Sequence, residues 1–185
     1  MNHLIFYKER DYQNSLQECS FFRLEIKERI EMDAKEIIKR HAAGEKKFKQ
    51  IELKNGDFSG VNFNGSLFDT TSFFKSYLPY ANFKDAQLKW VVFELANLVE
   101  ANFEDADLSN AMMMEADLFH ANFKGANLSN ADLRLAKLGG ADLRNANLKS
   151  TNLFRANLKG ANLDGAILDG ASFSEAIMPD GTKHP

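Results

Sequence analysis

One large apolar residue recurs at every fifth position from Leu53 to Met178. The series opens Leu53, Phe58, Phe63, Phe68, Phe73 and closes Leu163, Leu168, Phe173, Met178, giving 26 consecutive units over residues 51–180 without an insertion or deletion. Two residues before each stands a small or modest side chain, usually Ala, as at Ala101, Ala106, Ala111 and Ala116, with Gly56, Ser66, Thr71, Val91 and Thr151 as variants. Between them lies Asn or Asp in most units, for example Asn82, Asp107, Asn122, Asp132 and Asn157. A period of five suits neither an α-helix nor a long strand. A short strand accounts for it: alternation sends the Ala and Leu/Phe positions to one face and the Asn/Asp between them to the other. The last two residues of a unit, such as Ser59-Gly60, Ser109-Asn110 and Lys159-Gly160, have the chemistry of a turn. Each unit thus predicts one side and one corner of a coil. Stacked coils pair their backbones, and Ala and Leu/Phe together fill a narrow interior.

A different period governs the first fifty residues. Leu16, Cys19, Phe22, Ile26, Ile30, Ala34 and Ile37 recur at three- and four-residue steps, which predicts an amphipathic helix opening at the Ser15–Glu18 capping box. Glu25/Arg29, Glu31/Lys35 and Glu36/Arg40 support it at i,i+4 spacing. A second capping box over Asp33–Glu36 is where this helix would break in two, and Gly44 is its expected stop. Residues 1–50 are therefore expected to cap the coil or to dock elsewhere, 51–180 to form the repeat, and 181–185 a short tail.

The repeat resembles the A(D/N)LXX signature of pentapeptide-repeat proteins, carried by runs such as Ala126-Asn127-Leu128-Ser129-Asn130 and Ala161-Asn162-Leu163-Asp164-Gly165. The resemblance implies an all-β solenoid, a right-handed quadrilateral β-helix with four units per coil, and no particular activity. Independently, 15 apolar residues at outward or corner positions fall 7, 5, 0 and 3 on the sides of a four-unit coil, and almost evenly on a three-unit one. At a spacing of about 4.8 Å per coil the rod is roughly 30 Å long.

Twelve of those 15 residues, on two adjacent sides, form the candidate surface. Phe74, Val92, Leu95, Met112, Met114, Leu135 and Phe154 lie on one side, and Tyr77, Tyr80, Val99, Phe119 and Ile177 on the next. Phe74, Met114 and Phe154 share one corner of alternate coils. An exposed apolar patch rich in aromatics and Met has the composition of a protein interface, so the expected partner is another protein or a second copy. The side built on Phe63, Phe83, Phe103, Phe123 and Leu143 is wholly polar outside.

Charge and composition narrow the remaining classes. A net charge of -3, with residues 1–50 holding 11 basic against 9 acidic side chains, argues against binding nucleic acid. The run Leu4–Tyr7 is too short for a signal peptide or membrane span, and the lone Cys19 suits a reducing compartment, so a cytoplasmic location is expected. His3, His41, His120 and His184 share no metal-ligand spacing, and Cys19 reads as core. The Asp residues at 107, 117, 132 and 142 are spaced by the repeat, and Asn stands in their place elsewhere, so Asn127→Asp is expected to cost little. Corners such as Asp164-Gly165 lack phosphate-loop spacing. No catalytic residue, metal, cofactor or small-molecule substrate is expected. The family resemblance also raises mimicry of DNA toward type II topoisomerases, as in members that protect against quinolones. That role needs a continuous acidic stripe, whereas here Asp85, Glu104, Asp105, Asp142 and Asp164 alternate with Lys84, Lys124 and Arg144.

Overall fold

The computed structural model describes residues 30–185. In it the outward residue of each unit bridges in parallel to the residue 20 positions on, from Lys47↔Leu67 through Asn127↔Asn147 to Asn157↔Ile177. Twenty residues make one turn, so the coil has four sides of five residues. The physical cause is local. In each unit the carbonyl of the inward residue accepts from the N–H three residues on, as in Ala131→Leu128 at 3.0 Å, closing a β-turn. The residue before that N–H has positive φ, at 19 non-glycine positions as well as at glycines. Positive φ at the third residue is the type II turn, which favours Gly or Asn. Leu95 (φ 57°) and Leu135 (φ 60°) adopt it as well, each at a cost of about 1 kcal/mol. The inter-coil ladder holds them there: Leu95 N–H donates to the Met114 carbonyl and Leu135 N–H to that of Phe154.

The inward positions form one continuous core. Phe63, Phe83, Phe103 and Phe123 stack along one side with centroids 5.4, 5.2 and 5.0 Å apart, near the coil spacing. Thr71, Ser76 and Thr151 at the Ala position donate backwards to a main-chain carbonyl, as Thr151 Oγ1 does to Leu128 O at 2.8 Å, and the Ser66 hydroxyl meets His41 Nε2 at 3.1 Å, so these buried hydroxyls are not stranded. The core begins one unit earlier than the repeat read from Leu53: Phe48 is fully buried, lies 5.2 Å from Phe68 and is followed by Gln50 at φ 56°.

The segment before the coil is not one helix through Ile30, Ala34 and Ile37. Strand β1 (Ile30–Glu31) pairs in parallel with β2 (Ile51–Glu52), and only then does helix α1 (Ala34–Ala42) begin. Its N-cap Asp33 accepts from Lys35 N–H at 2.7 Å. Sheet pairing prevails at Ile30 because the first coil presents an open edge, and Ile30 N–H finds Gln50 O there at 3.1 Å. Glu31 consequently meets Lys54 at 3.6 Å, across the pairing, in place of a helical partner at Lys35. Ile37 of α1 is fully buried, Arg40 lies over the Phe48 ring, and His41 sits edge-on to Phe63 at 5.2 Å. Lys46 Nζ, which can only donate, is 2.8 Å from His41 Nε2, so that nitrogen is the acceptor; burial and this ammonium hold the imidazole below its usual pKa. The Ser15–Glu18 capping box, Leu16, Cys19, Phe22, Ile26 and the Glu25/Arg29 pair lie outside the described residues. No helix among the described residues is long and apolar enough to cross a membrane.

Candidate functional site

Outward positions stand in columns, each residue flanked by those 20 before and 20 after. On the polar side the column Asn62, Asn82, Asn102, Asn122 is a hydrogen-bonded ladder: each Nδ2 donates to the preceding Oδ1, at 3.0, 3.1 and 2.9 Å. The same Oδ1 accepts from the backbone N–H two residues on, as Asn102 does from Glu104 at 3.1 Å. Asparagine is favoured because it serves the corner and the column at once. Above the ladder Asp142 is held below its usual pKa by Arg144, whose Nη2 is 2.6 Å away. Lys84 pairs with Glu104 at 3.1 Å. The cations that interrupt this face are thus locally matched to its acids.

The apolar candidates fare unequally. Tyr77, Tyr80, Leu95, Phe119 and Leu135 are exposed, Tyr80 and Tyr77 most of all at 61% and 50%. Phe74, Val99, Met112 and Phe154 are half-buried. Phe74 and Phe154 each lie under their own neighbour's cation, with Lys75 Nζ 5.1 Å and Arg155 4.8 Å from the ring centre. Val92 and Met114 are not part of an open surface, being only 8% and 6% exposed. Val92 bridges Ser72 and Met112, and Met114 stands in the corner column between Glu94 and Arg134. Glu94, in the same column, has its carboxyl raised above the usual range by burial, with Asp132 adding to the shift.

What stays open is a corner. Tyr80, Val99 and Phe119 come from its successive coils, with Tyr77 beside them. Phe119 and His120 have ring centroids 4.1 Å apart, and His120 Nδ1–H donates to Gly140 O at 3.2 Å. Gly139 and Gly140 make this arrangement possible: a Cβ at 139 would come within 3.0 Å of the Phe119 ring, and one at 140 would strike His120. Two glycines in succession are thus a shelf for an exposed aromatic pair. The sequence offers that signal at positions 119–120 and 139–140, visible only once the period of 20 is known. The repeat reading also missed exposure at Leu168 (39%), an inward position of the last coil.

Two family models match the chain. One, for a pentapeptide repeat region, covers residues 46–118 and 91–163, and the other, for pentapeptide repeats (8 copies), covers 151–180. No curated protein sequence matches. Among solved structures, a trypsin-treated form of QnrB1, a plasmid-mediated fluoroquinolone resistance protein, is similar at TM-score 0.55 and 21% identity over 70% of this chain and 69% of that one. HetL, involved in heterocyst differentiation regulation in the cyanobacterium Nostoc sp. strain PCC 7120, aligns at TM-score 0.46 and 25% identity over 83% of this chain and all of that one. A pentapeptide repeat protein of the Arabidopsis thaliana thylakoid lumen is 32% identical over 51% of this chain and 59% of its own, at TM-score 0.27. With the repeat models spanning the coil from its first unit and a QnrB1 coil sharing its fold, the chain belongs to the pentapeptide-repeat family.

Proposed function

We propose that the protein is a non-enzymatic scaffold that binds a protein partner through the corner carrying Tyr77, Tyr80, Val99 and Phe119, with Leu95 and Leu135 on its flank. The observation that carries this reading is the Phe119–His120 pair held out over Gly139-Gly140, with Phe119 47% exposed. A core residue would be buried, and a solvated corner has no need of an aromatic. Rigid aromatics on a fixed backbone lose little entropy on binding and are the side chains most often found at interface centres. Family membership supports the non-enzymatic part, since such proteins are generally structural or interaction proteins. The ion pairs Lys84–Glu104 and Arg144–Asp142 on the polar face disfavour mimicry of a polyanion.

The test compares the full chain with a Tyr80→Lys/Phe119→Lys variant in affinity capture from extract of the native host. A partner held by the parent and lost by the variant, at unchanged melting temperature, supports the reading. An identical captured set places the interface elsewhere.

A further inference from the structure

Helix α1 rests on the first coil partly through a histidine. The ring of His41 lies edge-on to Phe63 at 5.2 Å and 6.2 Å from Phe48, both fully buried. Its Nε2 is 3.1 Å from the hydroxyl of Ser66, which is fully buried too. On the open side the Lys46 ammonium donates to the same nitrogen at 2.8 Å and to Asn64 O at 3.4 Å. This set of contacts fits an uncharged imidazole whose Nε2 lone pair is free to accept. The other contacts of α1 with the coil are apolar, with Ile37 fully buried and Ala34 and Ile38 packed on the core, and carry no proton.

A proton on His41 has no acid set to receive it among the described residues. From the coil the ring meets Phe63, the Ser66 hydroxyl and, through Lys46, the Asn64 carbonyl; one coil beyond, Lys84 is held by Glu104 at 3.1 Å. In its own segment the nearby charges are Lys46, Arg40 and Glu45, and Glu45 is taken by Arg40, whose Nε donates to it at 2.6 Å. Glu36 and Lys39 of α1 are exposed. The end of α1 offers no substitute, because the carbonyls of Lys39, Arg40 and His41 already accept from the N–H groups of Ala43, Glu45 and Gly44. Lys46 is exposed and can swing into water. The imidazolium left behind would still lie against two phenyl rings, one of which already faces the Arg40 guanidinium at 5.8 Å, so it is charged where water is scarce.

We infer that His41 is an acid-released latch: α1 and β1 close the N-terminal end of the coil while its imidazole is neutral, and protonation loosens them from it. Loosening frees the carbonyls of Gln50 and Glu52, which now accept from Ile30 and Met32 N–H, both at 3.1 Å. An unpaired edge of this kind is ready to take up another strand, so mild acid turns a closed end into an open one. The latch is independent of the aromatic corner. Burial, and after it the Lys46 ammonium, hold the imidazole below its usual pKa of about 6.5. The loosened segment therefore binds a proton more readily than the seated one. The latch has its full strength above the usual value and weakens as pH falls through it toward the value of the seated group.

The test is amide hydrogen exchange on the full chain at about pH 7.5 and about pH 5.5, a window above the ordinary carboxylate range. Rates are corrected for intrinsic exchange at each pH. Protection over residues 30–53 should fall about threefold or more in acid, while residues 111–130, in mid-coil, should keep theirs. An NMR titration of the His41 ring should run over the same pH interval as this loss. His41→Gln keeps a hydrogen-bonding group but takes up no proton, and should abolish the difference between the two pH values. His41→Phe keeps a ring against Phe63 and should abolish it as well, which guards against poor seating of the glutamine variant. Protection in the parent that is indifferent to pH, or a fall shared equally by residues 111–130, overturns the proposal. So does a loss that persists in either variant, or one whose midpoint departs from the His41 titration.

Discussion

Replacing Asn127 with Asp adds a carboxylate to a column in which it would face another. Asn127 Nδ2 donates to Asp107 Oδ1 at 3.1 Å, while its Oδ1 accepts from Ser129 N–H at 3.2 Å and from Asn147 Nδ2 at 3.1 Å. Aspartate keeps both acceptor roles and loses the donor. The lost bond is to a charged acceptor on a half-exposed face, about 1 kcal/mol at the low end of such bonds. Two charges about 4 Å apart repel by about 1 kcal/mol in water and more at a lower effective dielectric. Asn127→Asp should therefore destabilise by about 2 kcal/mol near neutral pH at low salt, contrary to the small cost expected from the interchange of Asn and Asp along the repeat. The pair it creates raises a carboxyl pKa in the fold, so the penalty is present above the usual carboxylate range and fades as pH falls below about 4, where one member is protonated and can donate. Asn157→Asp is the control. Its column neighbours are Lys137 and Ile177, so its effect should stay within about 0.5 kcal/mol. Urea denaturation of both variants at about pH 7 and pH 4 decides the matter. Equal stability of Asn127→Asp and Asn157→Asp at neutral pH would refute the column argument.

Leu128→Asp puts an unpaired carboxylate into a fully buried position and should cost several kcal/mol; melting within a few degrees of the parent would contradict the inward assignment. Ile37→Ala opens a cavity between α1 and the first coil and should cost about 2 kcal/mol or more, seen as a lower urea midpoint; no change would mean that α1 contributes nothing to closing that end. Glu94→Gln tests the raised carboxyl. A folded pKa above the unfolded one means stability falls as pH rises through that window, so the ionised group is a burden at neutral pH and not in acid. Glu94→Gln should raise the melting temperature near pH 7 and leave it unchanged near pH 4, and a gain of equal size at both pH values would contradict burial as the cause.

The core was legible along the chain because every unit states it locally: Leu128 and its counterparts point inward by alternation alone, whatever the neighbouring coil contains. The four-sided period was legible too, from where apolar residues such as Phe74 and Tyr77 collect. The contribution of the neighbouring coil was not. Whether Met114 is open or covered, whether Phe119 can lie flat on Gly139-Gly140, and whether position 127 tolerates a second carboxylate all depend on residues 20 away, which linear reading does not weigh. Among the described residues, no Asp or Glu is bridged to another within the coil, although Glu31 and Glu52 are partners where β1 meets its first side; pairwise repulsion at coil spacing is a reason for that choice which composition cannot reveal. The ends show the same division. Ile30 follows the helical stripe in sequence and is drawn into a strand by the open edge of the first coil, and Leu168 carries the repeat's core signature yet is 39% exposed, since among the described residues no further coil stacks on it. The inward alternation belongs to each unit of five residues, whereas the surface is decided by stacking and by the open edges where stacking ceases.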